Sequence, residues 1–222
     1  TVSLQAQDDL LKMLEEETEN DKKPDYVTAT FKTTRIINGH SIEQVAGGVL
    51  DFRISHKFGY INSGAYELFG LDQATIRLGF DYGITNRWMI GFGRSSWEKQ
   101  FDGFTKYKLI RQSNGVKKVP VTVNLMAAMV YKSLKYAGPV RENFATSNLY
   151  YTYQILIGRK FSESLSLQIM PTLNHYNLIP GTDIPNDLYS VGFGGRLKIS
   201  KRVSVNVEYY YQLPDFKLPE TY

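Results

Sequence analysis

Residues 73–84 read Q-A-T-I-R-L-G-F-D-Y-G-I, and their side chains alternate without interruption. Every even position is apolar, and every odd position is polar or glycine. After Thr85 and Asn86, residues 87–95 alternate again, with Trp88, Ile90 and Phe92 on the apolar side. Because successive side chains of a β-strand point to opposite faces, the pattern predicts a β-hairpin whose two faces meet different surroundings.

The same alternation recurs to residue 213 and predicts nine strands. We expect them at residues 49–58, 73–84, 87–97, 105–112, 119–131, 149–157, 165–169, 189–199 and 203–213. A long antiparallel sheet with one apolar and one charged face is typical of a transmembrane up-and-down β-barrel, whose strands need only about 9–11 residues each. The fold class predicted is therefore all-β.

The predicted connections alternate in length. The short ones are residues 85–86, 113–118, 162–164 and 200–202, and the long ones are residues 59–71, 98–104, 133–146 and 177–187. Bacterial outer-membrane barrels have short periplasmic turns and longer external loops. This ordering favours a bacterial outer-membrane location with the short turns on the periplasmic side.

Nine strands cannot close a barrel of even strand number, and an open edge in lipid would leave backbone groups unpaired. Residues 214–222 contain two prolines and no alternation, so they do not predict a closing strand. We therefore expect residues 49–222 to be a barrel that lacks its last strands. The first residue, Thr1, also suggests a processed chain whose export signal has been removed.

The composition excludes several classes of protein. The chain contains no stretch of about 20 apolar residues, so no transmembrane helix is predicted. The chain has no cysteine, which excludes a disulfide scaffold, a thiol nucleophile and a thiolate metal site. The formal net charge is +4, and the Lys and Arg residues are spread singly, so no nucleic-acid partner is expected.

The N-terminal residues differ from the sheet. Residues 7–17 predict a short amphipathic helix, and residues 1–25 together predict a periplasmic helix and linker. The helix either docks a protein partner or is a frayed terminus, and its apolar side comprises Leu10, Leu11, Met13 and Leu14. Residues 26–48 begin like a strand and then break the pattern, so we place them at the periplasmic mouth or inside the lumen.

The polar face of the predicted barrel is rich in cations. Its basic residues are Arg53, Lys57, Arg77, Arg87, Lys106, Lys108, Lys132, Arg196 and Lys198. Its acidic residues are Asp51, Asp81 and Glu208. A basic pore favours anions, whereas the same side chains could instead pair with acids and N-terminal residues and fill the lumen.

No pattern predicts catalysis, a cofactor site or a metal site. His40 and Ser41 are adjacent, so a strand would send them to opposite faces, and the chain has no G-x-S-x-G motif. Three scattered histidines without cysteine give no metal-ligand spacing.

Three stretches carry a resemblance to a known family: T-F-K-T-T-R-I-I-N-G-H-S (residues 30–41), L-D-F-R-I-S-H-K-F-G (50–59) and G-L-D-Q-A-T-I-R-L-G-F-D-Y-G-I-T (70–85). The chain resembles an uncharacterised outer-membrane β-barrel family of Bacteroidota-type bacteria. The resemblance implies about twelve strands in the complete protein and no catalytic residues, and the function of the family is unassigned.

Three functions follow as hypotheses. The first is a non-enzymatic structural or accessory subunit of an outer-membrane complex, with membrane lipid and protein partners. The second is a small anion-preferring channel. The third is a soluble periplasmic barrel that binds an apolar ligand, which would require the apolar face of the strands to point inward.

Overall fold

The structure is a computed structural model that describes residues 10–15, 24–115, 118–134, 144–179 and 185–213. Residues 10–15 form an α-helix, α1, as the N-terminal pattern predicts. Residues 7–9 and 16–17, which the sequence predicts as the two ends of this helix, lie outside the described residues. The prolines after residue 213 also lie outside them.

Nine long strands form one antiparallel sheet. They are β2 (Leu50–Lys57), β3 (Thr75–Thr85), β4 (Trp88–Ser95), β5 (Gln100–Ile110), β7 (Thr122–Lys132), β8 (Leu149–Lys160), β9 (Leu165–Tyr176), β10 (Asp187–Lys198) and β11 (Ser204–Gln212). Each strand pairs with its neighbours in the chain, so the sheet is a meander with β2 and β11 at its edges. The predicted all-β, nine-stranded antiparallel architecture is confirmed. Two short strands, β1 (Asp25–Tyr26) and β6 (Ser113–Asn114), form a separate pair.

One predicted loop is wrong. Residues 98–104 were expected to form a long connection, yet β5 already begins at Gln100 and the connection is residues 96–99. Asp102 and Gly103 suggest a turn in isolation, but here they pair with Val130 and Met129 of β7. Conversely, the connection between β5 and β7, expected to be short, spans residues 111–121. The regular alternation of loop length therefore fails at these two connections.

Residues 27–48, here called the inner segment, run along one face of the sheet. Arg35 approaches Asp81 of β3 at 3.8 Å, and the backbone N–H of Ile37 donates to Glu208 of β11 at 3.1 Å. Residues two positions apart in a chain lie within about 7 Å of each other, so β3 and the edge strand β11 both reach one short piece of chain. The sheet must therefore curl around the inner segment.

Candidate functional site

The polar face of the sheet, here called the inner face, is covered by the inner segment. The middle of this segment is a tight turn, in which the N–H of Ile36 donates to the carbonyl of Gly39 at 2.9 Å. Arg35 and His40 form an antiparallel bridge at its base. The sequence I-I-N-G suits such a turn, because Asn and Gly tolerate turn conformations that other residues avoid.

An apolar cluster fixes the segment to the middle of the sheet. Phe31, Ile36 and Ile42 of the segment pack with Met126, Leu156 and Met170 of β7, β8 and β9, and all six are buried. These three strand residues occupy inner positions that the alternation assigns to the polar face. The inner face is therefore mixed, with an apolar patch where the segment crosses it.

Lys106 of β5 holds the backbone of the segment. Its side chain is 0 % exposed, and its Nζ donates to the carbonyl oxygen of Ser41 at 3.0 Å and also to that of Glu43. The side chain of Gln44 returns a hydrogen bond to the carbonyl of Lys106 at 2.9 Å. Because a buried ammonium is costly without acceptors, these carbonyls explain how Lys106 is tolerated inside the fold.

Two amide side chains from the sheet hold the same stretch of backbone. The Oε1 of Gln168 accepts the N–H of Ile42 at 2.8 Å, while its Nε2 donates to the carbonyl of His40 at 2.7 Å. The Nδ2 of Asn124 donates to the carbonyl of Ile42 at 2.8 Å. A backbone that lies outside any sheet must find partners elsewhere, and the strands supply them here.

Glu208 caps the turn of the segment. Its carboxylate accepts the N–H of Ile37 at 3.1 Å and the N–H of Gly39 at 3.0 Å. Charge-assisted hydrogen bonds of this kind are stronger than neutral ones. Glu208 therefore ties the turn to the last strand of the sheet.

A group of charges surrounds Asp81, which is 1 % exposed. Arg35 lies 3.8 Å from its carboxylate, and the hydroxyl of Thr34 donates to it at 3.4 Å. Arg53 donates to the same Thr34 hydroxyl at 2.9 Å and to Asp51 at 3.0 Å. Asp81 is thus the buried negative charge that balances the arginine of the inner segment.

His40 is neutral in this environment. The Nη1 of Arg35 lies 2.9 Å from Nδ1 of His40, and because arginine only donates, Nδ1 must be the acceptor. Burial, followed by the charges of Arg35 and Lys106, holds the pKa of His40 well below its usual value of 6.5. Burial likewise lowers the pKa of Arg35 to about 10, which leaves the guanidinium charged at neutral pH.

The neighbouring side chains complete the packing of this site. The ring of Phe104 meets His40 edge-on at 4.5 Å and lies 4.8 Å from the guanidinium of Arg35. The hydroxyl of Ser41 donates to the carbonyl of Thr33 at 2.6 Å. Ser41 and His40 therefore each bond to other groups, and their arrangement is not that of a nucleophile with its base.

Two ion pairs on the inner face involve acids that the sequence did not single out. Arg77 of β3 forms a two-pronged ion pair with Asp102 of β5, with Nε 2.7 Å from Oδ1. Its guanidinium lies over Gly93 of β4, where any side chain would collide with it. Lys132 pairs with Glu98 in the connection before β5. Since residues 98–104 were expected to be a loop, neither acid was assigned to the inner face.

The other predicted basic residues have different surroundings. Arg196 is buried and donates to the carbonyls of Ala29 and Thr30, both at 3.3 Å. Lys108 lines a polar cavity of about 70 Å³ together with Glu43 and Arg111. Lys198 is half-buried at the end of β10. Lys57, at the end of β2, and Arg87, in the turn between β3 and β4, are exposed and lie outside the buried contacts. A turn residue such as Arg87 is not held to the alternation of a strand.

The opposite face of the sheet, here called the outer face, is apolar and exposed. On β3 the exposed residues Ile76, Leu78, Phe80, Tyr82 and Ile84 alternate with inner residues. The pattern continues on the last strand with Val205, Val207, Tyr209 and Tyr211. Soluble monomers rarely expose contiguous apolar surface on this scale, so the outer face is suited to contact lipid.

The sequence matches a family model described as a membrane bound beta barrel domain, DUF5777, over residues 31–222. The chain belongs to this family. The match begins within the inner segment, so the family's domain includes most of that segment together with the strands. No curated protein and no solved structure matches the chain.

The exposed apolar outer face agrees with the description of the family as membrane bound. Among the residues that the structure describes, no helix is long and apolar enough to span a membrane. The described residues also contain no group of three His, Cys, Asp or Glu side chains placed to hold a metal ion. The soluble alternative required the apolar faces to point inward, whereas the structure places them outside.

The predicted docking helix stays a prediction. Leu10, Leu11, Met13 and Leu14 are all exposed on α1. Their exposure makes them accessible to another protein.

Proposed function

We propose that this barrel domain is a non-enzymatic structural or accessory subunit of an outer-membrane assembly, whose inner face is filled by its own chain. The observation that carries the proposal is the inner segment, which contacts strands from β2 to β11. Most of the cations of the inner face that would line a pore are already bound to carboxylates or backbone carbonyls of the same chain. Lys106 holds backbone carbonyls, Arg77 pairs with Asp102, and Arg196 holds the start of the segment.

Electrical conductance tests the filled inner face. We expect the full-length protein, inserted into a planar bilayer, to pass no steady current, while heat-modifiable migration in detergent shows that it has folded. A variant lacking residues 30–46 removes the segment and should conduct if the barrel still inserts. Steady conductance of the unaltered protein would contradict the proposal that the inner segment fills the lumen.

The partner role is tested separately at α1. Replacing Leu10, Leu11, Met13 and Leu14 with Ser should release partner proteins that co-purify in mild detergent, because these side chains supply the apolar side of the helix. Replacing the neighbouring Lys12 with Ser is the matched control and should retain them. Equal retention by both variants would count against a docking helix.

A second candidate is a small anion-preferring channel, and one observation favours it. Lys108 lines the polar cavity beside Arg111, and the structure gives its ammonium no ion-pair partner among the described residues. If current is observed, Lys108→Glu should shift selectivity towards cations, since charged side chains in a pore select ions by sign. Lys57→Glu, at an exposed strand end, is the control and should have little effect. Unchanged selectivity in Lys108→Glu would remove this candidate.

A further inference from the structure

The outer face contains an apolar groove across its last four strands. The groove has a volume of about 730 Å³. Its apolar walls include Ile157 of β8, Leu167 of β9, Phe193 and Leu197 of β10, and Val207 of β11. Such a groove on a membrane protein is suited to an extended hydrocarbon chain, because burial of apolar surface stabilises the contact.

Two charged residues line this groove, Arg159 and Arg196, and of these the exposed Arg159 belongs to the outer face, whereas Arg196 donates to the inner segment. Arg159 pairs with Leu167, Leu167 pairs with Gly195, and Gly195 pairs with Val207 across four adjacent strands. Residues directly opposite each other share a face, so Arg159 stands in a row of outer-face positions. Gly195 leaves a notch in that row, because it has no side chain to fill the groove.

The guanidinium of Arg159 points towards the turn end of the sheet. It lies 4.8 Å from the ring centre of Phe161, which follows the last residue of β8. A long cationic side chain on a lipid-facing surface turns in this way to bring its charge to the water interface. The groove therefore extends along the apolar walls of the outer face and ends at the guanidinium of Arg159.

The same end of the sheet is basic. Lys201 and Arg202 are exposed in the connection between β10 and β11, beside the groove. Glu163 is the acid in the connection between β8 and β9, and its carboxylate pairs with Lys160 at 2.8 Å. Among the described residues, Arg159, Lys201 and Arg202 have no ion pair. Their charges are thus available to an external anion.

We propose that this groove binds an anionic phospholipid, with an acyl chain along the apolar walls and the phosphate at Arg159. Basic residues next to an apolar surface attract anionic lipids by about 1 kcal/mol per cation. The proposal rests on the membrane-bound family and on the groove, and it is independent of whether the lumen conducts.

Arg94 provides a matched control on the same outer face. It lies on β4 near the opposite end of the sheet, and its guanidinium is 5.3 Å from the ring of Phe101. Both arginines are exposed and stacked on a phenylalanine, but Arg159 alone of the two lines the groove. A general effect of interfacial charge should therefore affect both, and a built site should involve Arg159 alone.

Native mass spectrometry of the full-length protein in detergent tests the proposal. The protein is offered phosphatidylglycerol and phosphatidylcholine with the same acyl chains. We expect preferential retention of phosphatidylglycerol, reduced about fivefold by Arg159→Gln, the ratio that about 1 kcal/mol gives, and unchanged by Arg94→Gln. Gly195→Val, which fills the notch, should reduce retention of both lipids.

Several outcomes would overturn this site. Equal losses from Arg159→Gln and Arg94→Gln would show general surface attraction, and retention unaffected by Arg159→Gln would remove the role of the arginine. Displacement of the lipid by inorganic phosphate at millimolar concentration would identify a site for the free anion. A dimer mass that Gly195→Val abolishes, without bound lipid, would assign the groove to a second copy of the chain.

Discussion

The inner and outer faces of the sheet are built from the same strands and differ in what each side chain contacts. On the outer face, residues such as Phe80 and Leu78 are exposed and contact mainly their neighbours on adjacent strands. On the inner face, Asp81 and Lys106 are buried beneath residues of the inner segment, which is distant in sequence. Alternation therefore assigns residues to a face, whereas the inner segment determines the energetics of one face alone.

Adjacent positions on one strand show the contrast most directly. A Cβ added at Gly194 of β10 would lie 2.2 Å from Cδ1 of Ile36 in the inner segment. A Cβ added at the next residue, Gly195, would lie 3.4 Å from Leu167, an ordinary contact. The inner face is close-packed at this point, and the outer face has room.

The largest expected effect comes from the buried charge of the inner face. Asp81→Asn keeps the shape of the side chain but leaves Arg35 without its compensating charge. Leaving a buried charge uncompensated costs about 3–5 kcal/mol, and we expect a loss of this size in denaturant unfolding from lipid vesicles. Asp51→Asn is the control, since the Asp51 side chain is 42 % exposed, and it should cost under about 1 kcal/mol.

A double substitution checks the cause. If Asp81 acts through Arg35, the double variant Asp81→Asn with Arg35→Gln should lose less stability than the sum of the losses in the two single variants. Additive losses would contradict this account of the inner face.

The next effect tests whether the outer face contacts lipid. Phe80→Arg places a charge at the middle of β3 on the outer face. It should cost about 2–4 kcal/mol in vesicles, because a charge at the centre of the bilayer is poorly solvated. Ile84→Arg, on the same face beside the turn at the end of β3, should cost only about 0–1 kcal/mol. Equal and small costs for both would mean that this face meets water.

The two adjacent glycines give a smaller effect. Gly194→Ala should destabilise the protein by about 1–3 kcal/mol, because the new methyl group must displace Ile36 in a packed region. Gly195→Ala should change stability by less than about 0.5 kcal/mol. Unfolding of both variants in vesicles measures the difference, and similar values would contradict the contrast between the faces.

The smallest effect is a pH dependence confined to the inner segment. Because the folded state holds the pKa of His40 below 6.5, the unfolded state binds more protons between these two values. The contribution of neutral His40 to stability is therefore complete above about pH 6.5 and decreases as the pH falls, by at most about 1.4 kcal/mol per pH unit. Amide hydrogen exchange of residues 36–42, corrected for the intrinsic exchange rate, should show a smaller free energy of local opening at about pH 5.5 than at about pH 7.5.

The control for this dependence is His40→Gln, which lacks the titrating ring. After correction for the intrinsic exchange rate, its free energy of local opening should change less between the two pH values than that of the unaltered protein. The same pH effect in both proteins would attribute the dependence to carboxylates instead.

Much of the sheet could be predicted from its period-two pattern, and the errors have physical causes. Residues 98–104 were assigned to a loop, yet residues 100–104 belong to β5, where pairing with β7 and the ion pair between Arg77 and Asp102 hold them. Glu98 and Asp102 were missed for the same reason. Glu43, whose Oε1 accepts the N–H of Thr30 at 2.8 Å, lies outside the alternating strands and gave no signal.

The amino-acid sequence by itself determined which residues share a face, that the sheet is antiparallel, and that the apolar face is continuous enough to meet a membrane. These properties depend on the local geometry of a strand, in which side chains alternate with a period of two. Only the tertiary structure decided that residues 27–48 fill the inner face, that His40 is neutral beside Arg35, and that Glu208 caps their turn. Those contacts join residues far apart in the chain, and each depends on how the sheet curls, which no local pattern encodes.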